Sequence, residues 1–180
     1  MPSTEIDVRG EFARLHEAFD AFESIRQEGE AACRARAPEV SGWSVEQHLY
    51  HIALATDLAF RHVKSLVARK GGLIQQEGAI KERAAEVLEN DTTPRGEAKA
   101  PRMVTPDDLV EPRFLDMELS GNREALAGLE AIADEIAAAP AWIPHQELGP
   151  LSAAHWLRFS ALHARHHWAI VRDIRAALSS

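Results

Sequence analysis

In the stretch "EFARLHEAFDAFESI", Phe12, Leu15, Phe19, Phe22 and Ile25 recur at intervals of three and four residues. At 3.6 residues per turn that spacing gathers all five side chains on one stripe of an α-helix, and on no single face of a strand. It predicts a first helix from about Thr4 to Arg36, stopped by "APEVSG". Three further segments keep the helical period. The second opens at Ser44, where Ser44 and Gln47 form a capping-box pattern behind Trp43, and runs to about Lys70, ahead of Gly71 and Gly72. The third covers Phe114 to Ala139 before "PAWIP", and the fourth begins near Ser152 after "LGPL" and continues almost to the C-terminus. Alternating apolar and polar runs are missing and alanine is abundant, so no strand is expected.

Residues 71 to 111 join the second helix to the third. They hold a short helical candidate, "IKERAAEVLEN", and then the proline- and charge-rich "DTTPRGEAKAPRMVTPDD". This is too long for an ordinary helix–helix turn. An all-α four-helix bundle with one long crossover between helices 2 and 3 accommodates it. A chain of 180 residues can bury a core of its own, and neither a repeat nor a change of composition divides it, so residues 1–180 read as a single domain.

Charge and cysteine content narrow the function classes. A net charge of -8 argues against nucleic acid as a partner, because binding phosphates needs clustered Lys and Arg. No apolar run is long enough to span a bilayer, and "MPSTEIDVRGEF" carries charge where a signal peptide is apolar, so a cytoplasmic protein without a membrane partner is expected. Cys33 is the single cysteine, which excludes an intrachain disulfide and suits a reducing compartment. Arg34 and Arg36 flank it, but a small residue near a helix end is the plainer account.

The chain carries nine histidines, and three of them, His163, His166 and His167, crowd into "ALHARHHWAIVRDI". On a helical wheel Arg158, Arg165 and Arg172 mark a solvated stripe, opposite Trp156, Ile170 and Ile174. His163 and His167 fall about 140° and 180° from Arg158, inside the apolar arc, while His166 lies to one side. In the second helix Glu46, Asp57 and Lys64 mark the wet face and His51 the dry one. His48 lies one turn earlier, and His62 is about 16 Å further along, too far to share a centre with His51. Buried imidazoles lose water, so they require either hydrogen-bond partners or a metal. Three of them suit zinc, nickel or ferrous iron and leave positions open for water or substrate. Spacing leaves both readings standing: a metal centre, or core histidines satisfied by their neighbours.

"GWSVEQHLYHIA" resembles the tryptophan–capping-box–histidine opening of the second helix in the DinB-like superfamily. "LGPLSAAHWLRFSALHARHHWAIVRDI" is similar to the family's fourth helix, with its H-x-x-H-H. The resemblance implies an up-down-down-up bundle and a three-histidine centre, carried here by His51, His163 and His167. It implies zinc or nickel as cofactor, with iron a third option, and often a homodimer. Some relatives handle low-molecular-weight thiols, as isomerases or S-transferases, which implies a small-molecule substrate, a thiol among the candidates, and transferase or hydrolase-like chemistry. The alternative is a non-catalytic metal-binding stress or structural dimer. Many relatives follow H-x-x-H-H with Gly-Gln or Arg-Gln; here Trp168 and Ala169 stand instead, which removes any polar role at those positions. For His48, stapling onto Trp43 is the first reading, with a base beside the metal, the catalytic candidate, or a fourth coordination position as the others. His166 reads as an orienting or surface residue. His145 reads as a loop residue near the mouth of the pocket, His155 as a first-turn surface residue, and His16 and His62 as partly buried residues without chemistry.

Overall fold

Asp7 starts α1 (Val8–Gln27), its carboxylate accepting the Gly10 N–H at 3.0 Å. A Cβ at Gly10 would lie 2.4 Å from Asp7 Oδ2, so the glycine makes room for the cap. This is a computed structural model, and it describes residues 6–179 apart from 92, 94, 97 and 98. The expected start at Thr4 therefore lies outside the described residues. The single first helix expected to Arg36 is two: Gly29 takes φ 104, a conformation that favours glycine, and a short α2 (Glu30–Arg34) follows.

The second long helix, α3 (Val45–Ala68), has its capping box in place. Gln47 N–H donates to Ser44 Oγ at 3.2 Å and Ser44 N–H to Gln47 Oε1 at 2.9 Å. The crossover then carries α4 (Glu82–Asn90) and a 3-10 turn at Arg102–Val104 before α5 (Pro112–Glu130), which has proline in its first turn. The third helix expected to Ala139 is also interrupted. The chain leaves helical geometry at Ile132 and resumes as α6 (Ala133–Ala138). Nothing in "AIADE" announces that break, because it holds neither Pro nor Gly.

Strands were not expected, yet β1 (Ile143–His145) and β2 (Gly149–Leu151) form an antiparallel hairpin, pairing Ile143 with Leu151 and His145 with Gly149. Three-residue strands are too short to display alternation. Trp142 ties the hairpin to the crossover by two backbone bonds with Gln75, at 2.8 and 2.9 Å. The last helix, α7 (Ala153–Leu178), is capped by Ser152, whose Oγ accepts the His155 N–H.

The fold is predominantly helical, all-α in class apart from this hairpin. Helix α3 packs against α7 and α5, and α1 packs against the same two. The α1 stripe of Phe12, Leu15, Phe19, Phe22 and Ile25 is buried, in one cluster with Leu49, Ile52, Phe60, Leu126 and Val171. Among the described residues no helix is long and apolar enough to cross a membrane.

Two expected wet positions are dry. Arg158 does not belong to a solvated stripe: its side chain is 13% exposed, against 47% for Arg165. It pairs with Glu11 at 2.8 Å and Asp91 at 3.0 Å and donates to the Leu88 carbonyl. Asp91 also pairs with Arg14 and Arg165, so one network joins α1, α4 and α7. Glu46 is likewise buried, and desolvation raises its pKa. Heptad spacing finds the polar stripe but cannot foresee which of its members a crossover covers.

Candidate metal centre

Because α3 and α7 pack together, the dry face of one meets the dry face of the other. One imidazole nitrogen from each of His51, His163 and His167 lies within 4.8 Å of the other two. His51 Nε2 and His163 Nε2 stand 3.4 Å apart. Two nitrogens about 2.1 Å from one tetrahedral cation are separated by about 3.4 Å, so this spacing fits shared coordination. Among the described residues no carboxylate or thiol joins the cluster.

The remaining nitrogens decide which lone pairs are free. His51 Nδ1–H donates to the Val104 carbonyl at 2.7 Å, which leaves its Nε2 unprotonated and aimed at His163. His167 Nδ1 faces His48 Nδ1 at 2.9 Å, and His48 Nε2 faces Ser41 Oγ at 2.9 Å. Only two arrangements satisfy this chain. If Ser41 donates to His48 and His48 to His167, the His167 proton is forced onto Nε2 and no lone pair remains there. If His167 Nδ1–H donates to His48 and His48 Nε2–H to Ser41, His167 Nε2 is free to ligate. Ser41 Oγ also accepts the Trp43 N–H at 3.2 Å, which fixes its position.

Burial keeps all four rings neutral. Desolvation, reinforced by neighbouring imidazoles, lowers His163 and His167 well below their ordinary value and His48 to about 4, and desolvation also lowers His51. Neutral imidazole is the ligating form. Trp43 walls the group: its ring lies 5.1 Å from His51, 5.4 Å from His48 and 6.3 Å, stacked, from His167.

The other histidines scatter. His166 packs on His167 at 5.1 Å and bonds the backbone of Thr93, so it is half-buried rather than free at the surface. His155 is not a surface residue: its Nδ1 meets Ser152 Oγ at 2.6 Å, its ring stacks on Trp142, and its Nε2 is sealed with no partner among the described residues. His145 is not solvated either. It is half-buried in the hairpin against Trp156 and Phe159, and burial lowers it to about 4. His62 packs on Trp156, and His16 bonds Glu130 at 2.8 Å on the far side of the molecule. Cys33 is buried and accepts from Arg26 rather than from either arginine beside it in sequence.

Sequence reasoning missed three contributors. Ser41 stands two residues before Trp43 and could have been found as a polar neighbour of the motif. Val104 acts through its carbonyl, which no side-chain pattern can announce. The hairpin that holds His145 was equally invisible. A family model described as the DinB superfamily matches residues 11–171. No curated protein and no solved structure matches the chain.

Proposed function

The chain belongs to the DinB superfamily, and on that premise we propose that it is a metal-dependent enzyme acting on a small molecule. His51, His163 and His167 hold one divalent ion in an up-down-down-up four-helix bundle. Zinc or nickel suits three neutral imidazoles best, with ferrous iron next. The observation that carries this reading is the pair of fixed rings: Val104 sets the tautomer of His51, and the His48–Ser41 chain can set that of His167. Core histidines satisfied only by their neighbours have no need to bring three ring nitrogens within 4.8 Å of one another with the His51 Nε2 lone pair among them.

The substrate class follows from the resemblance of the two signature helices to thiol-handling relatives. We place a low-molecular-weight thiol at the centre: it loses its proton to solvent and its sulfur attacks an electrophilic carbon, forming an S–C bond as that carbon's leaving group departs. When bound, the ion supplies Lewis-acid chemistry that favours the thiolate form of a coordinated thiol near neutral pH. The chain's own residues hold the site in shape. His48 is a positioning residue for His167 rather than the reacting base, since both of its nitrogens are occupied. Trp43 keeps water from three of the rings. The reading includes a homodimer, for which exposed Leu109, Phe114 and Met117 offer apolar surface.

The test is S-transfer from a panel of small thiols to 1-chloro-2,4-dinitrobenzene, run on metal-free protein, on zinc- and nickel-loaded protein, and on His51→Ala. Turnover that appears with metal and disappears in His51→Ala is the expected result. Inactivity across the panel with metal bound identifies a non-catalytic metal-binding protein instead.

A further inference from the structure

The two faces that meet at His51, His163 and His167 continue beyond them. On α7 the stripe runs back through Ser160, Phe159 and Trp156; on α3 it runs forward through Ala55 and Leu58 to His62. Ala55, Leu58, His62, Phe159 and His163 all keep partial exposure, so the seam between the helices is not fully sealed. His62 against Trp156, at 4.6 Å, closes its far end.

His145 reaches this seam from the hairpin. Its ring lies 5.3 Å from Trp156 and 4.6 Å, edge-on, from Phe159. Phe159 in turn stacks on His163 at 5.3 Å. A single aromatic ring therefore separates His145 from the metal centre. The hairpin turn also fixes its chemistry. His145 Nδ1 accepts two backbone N–H groups, from Glu147 at 3.1 Å and Leu148 at 3.2 Å. The proton must then sit on Nε2, which can only donate. Among the described residues that N–H has no protein partner, and it is not among the sealed polar atoms. The hairpin is itself anchored, since Trp156 Nε1–H donates to the Ile143 carbonyl at 3.2 Å. Ser160 on the same stripe is buried, and its hydroxyl has no partner among the described residues. The His145 N–H, half-buried, held in place and left unpaired among the described residues, is what a ligand site presents.

We propose that His145 is a substrate-binding residue whose Nε2–H donates to a carboxylate or carbonyl oxygen at the end of the substrate remote from the metal. The substrate is then elongated, with an apolar or aromatic body lying along Phe159 and its reacting end at His51, His163 and His167. This rests on the metal-centre reading. The selectivity is for an acceptor, because a donor group on the ligand would face a donor on the protein.

Hydroxamates, which chelate zinc, separate the two claims. On zinc-loaded protein, benzohydroxamate reports the metal centre alone, and its 4-carboxy and 4-(carboxymethyl) derivatives add an acceptor one ring away. At least one derivative is expected to bind about 10-fold tighter than benzohydroxamate, the worth of one good charge-assisted hydrogen bond. His145→Phe should abolish that gain and leave benzohydroxamate affinity unchanged. His145→Gln, which still carries an N–H donor, should keep part of it. In ¹⁵N NMR the His145 Nε2–H resonance should shift on adding the derivative and not on adding benzohydroxamate. Equal binding of all three compounds, or a gain that survives His145→Phe, overturns the proposal and leaves the metal centre standing. Protein that takes up no zinc overturns both, and zinc-loaded protein that binds none of the three compounds overturns the substrate proposal.

Discussion

Replacing His48 with Phe keeps an aromatic ring beside Trp43 while removing the nitrogen that faces His167 Nδ1 at 2.9 Å. His167 then carries a buried N–H with no acceptor, and its ring loses the contact that fixes its tautomer. Losing such an orienting bond costs about 10- to 100-fold in metal affinity, or about 1.4–2.7 kcal/mol. Ser41→Ala removes only the far end of the chain and leaves the His48–His167 bond possible, so its effect should be smaller, about 0.5–1.5 kcal/mol. His48→Gln restores an acceptor oxygen and should recover part of the affinity lost in His48→Phe. The assay is competition for zinc against a chromophoric chelator at pH 7.5, with thermal melting of the metal-free proteins as the check on folding. A His48→Phe protein that folds normally and binds zinc as tightly as the unmodified chain refutes the relay. So does a Ser41→Ala effect larger than that of His48→Phe.

Acid stability and the buried ion network offer two further checks. His48 and His145 titrate at about 4 in the folded protein against about 6.5 unfolded, so the unfolded chain binds the extra protons as pH falls. Stability of the metal-free protein should be full above pH 6.5 and decline towards pH 4 by up to about 1.4 kcal/mol per pH unit for each group, read from urea midpoints. A midpoint unchanged between pH 7 and 5 contradicts the burial of these rings. Arg158→Met removes the nearer of Glu11's two cations and leaves Arg14 at 3.8 Å, beside a carboxylate that is buried and whose pKa burial already raises. A buried carboxylate left with only that more distant partner should cost up to about 3 kcal/mol, below the full penalty of an unpaired buried charge, visible as a lowered melting temperature, and adding Glu11→Gln should restore much of it.

How much of this was legible in the sequence depends on which interactions write themselves into a local pattern. The apolar stripe of α1, the Ser44–Gln47 box and the inward direction of His51, His163 and His167 follow from periodicity, because each is a property of one helix. The exposure of Arg158 and Glu46 is not such a property. Each is dry because another segment covers it, and Arg158 pairs with Glu11 and Asp91, residues far away in the chain. The same holds for His145, which spacing assigns to a loop and a nine-residue hairpin half-buries. The Val104 carbonyl is the extreme case: any residue there offers the same oxygen, so only the path of the crossover brings it to His51. The inward direction of the three clustered histidines was readable from their helices; of the groups around them His48 was legible, and Ser41 and the Val104 carbonyl were not.

The central claim is that His51, His163 and His167 form one metal site. Metal analysis of the purified chain beside His51→Ala and His163→Ala tests it most directly. The account predicts about one equivalent of zinc or nickel in the unmodified protein and a clear loss in both variants. Unchanged metal content in the two variants, or none in the unmodified chain after incubation with either ion, contradicts it.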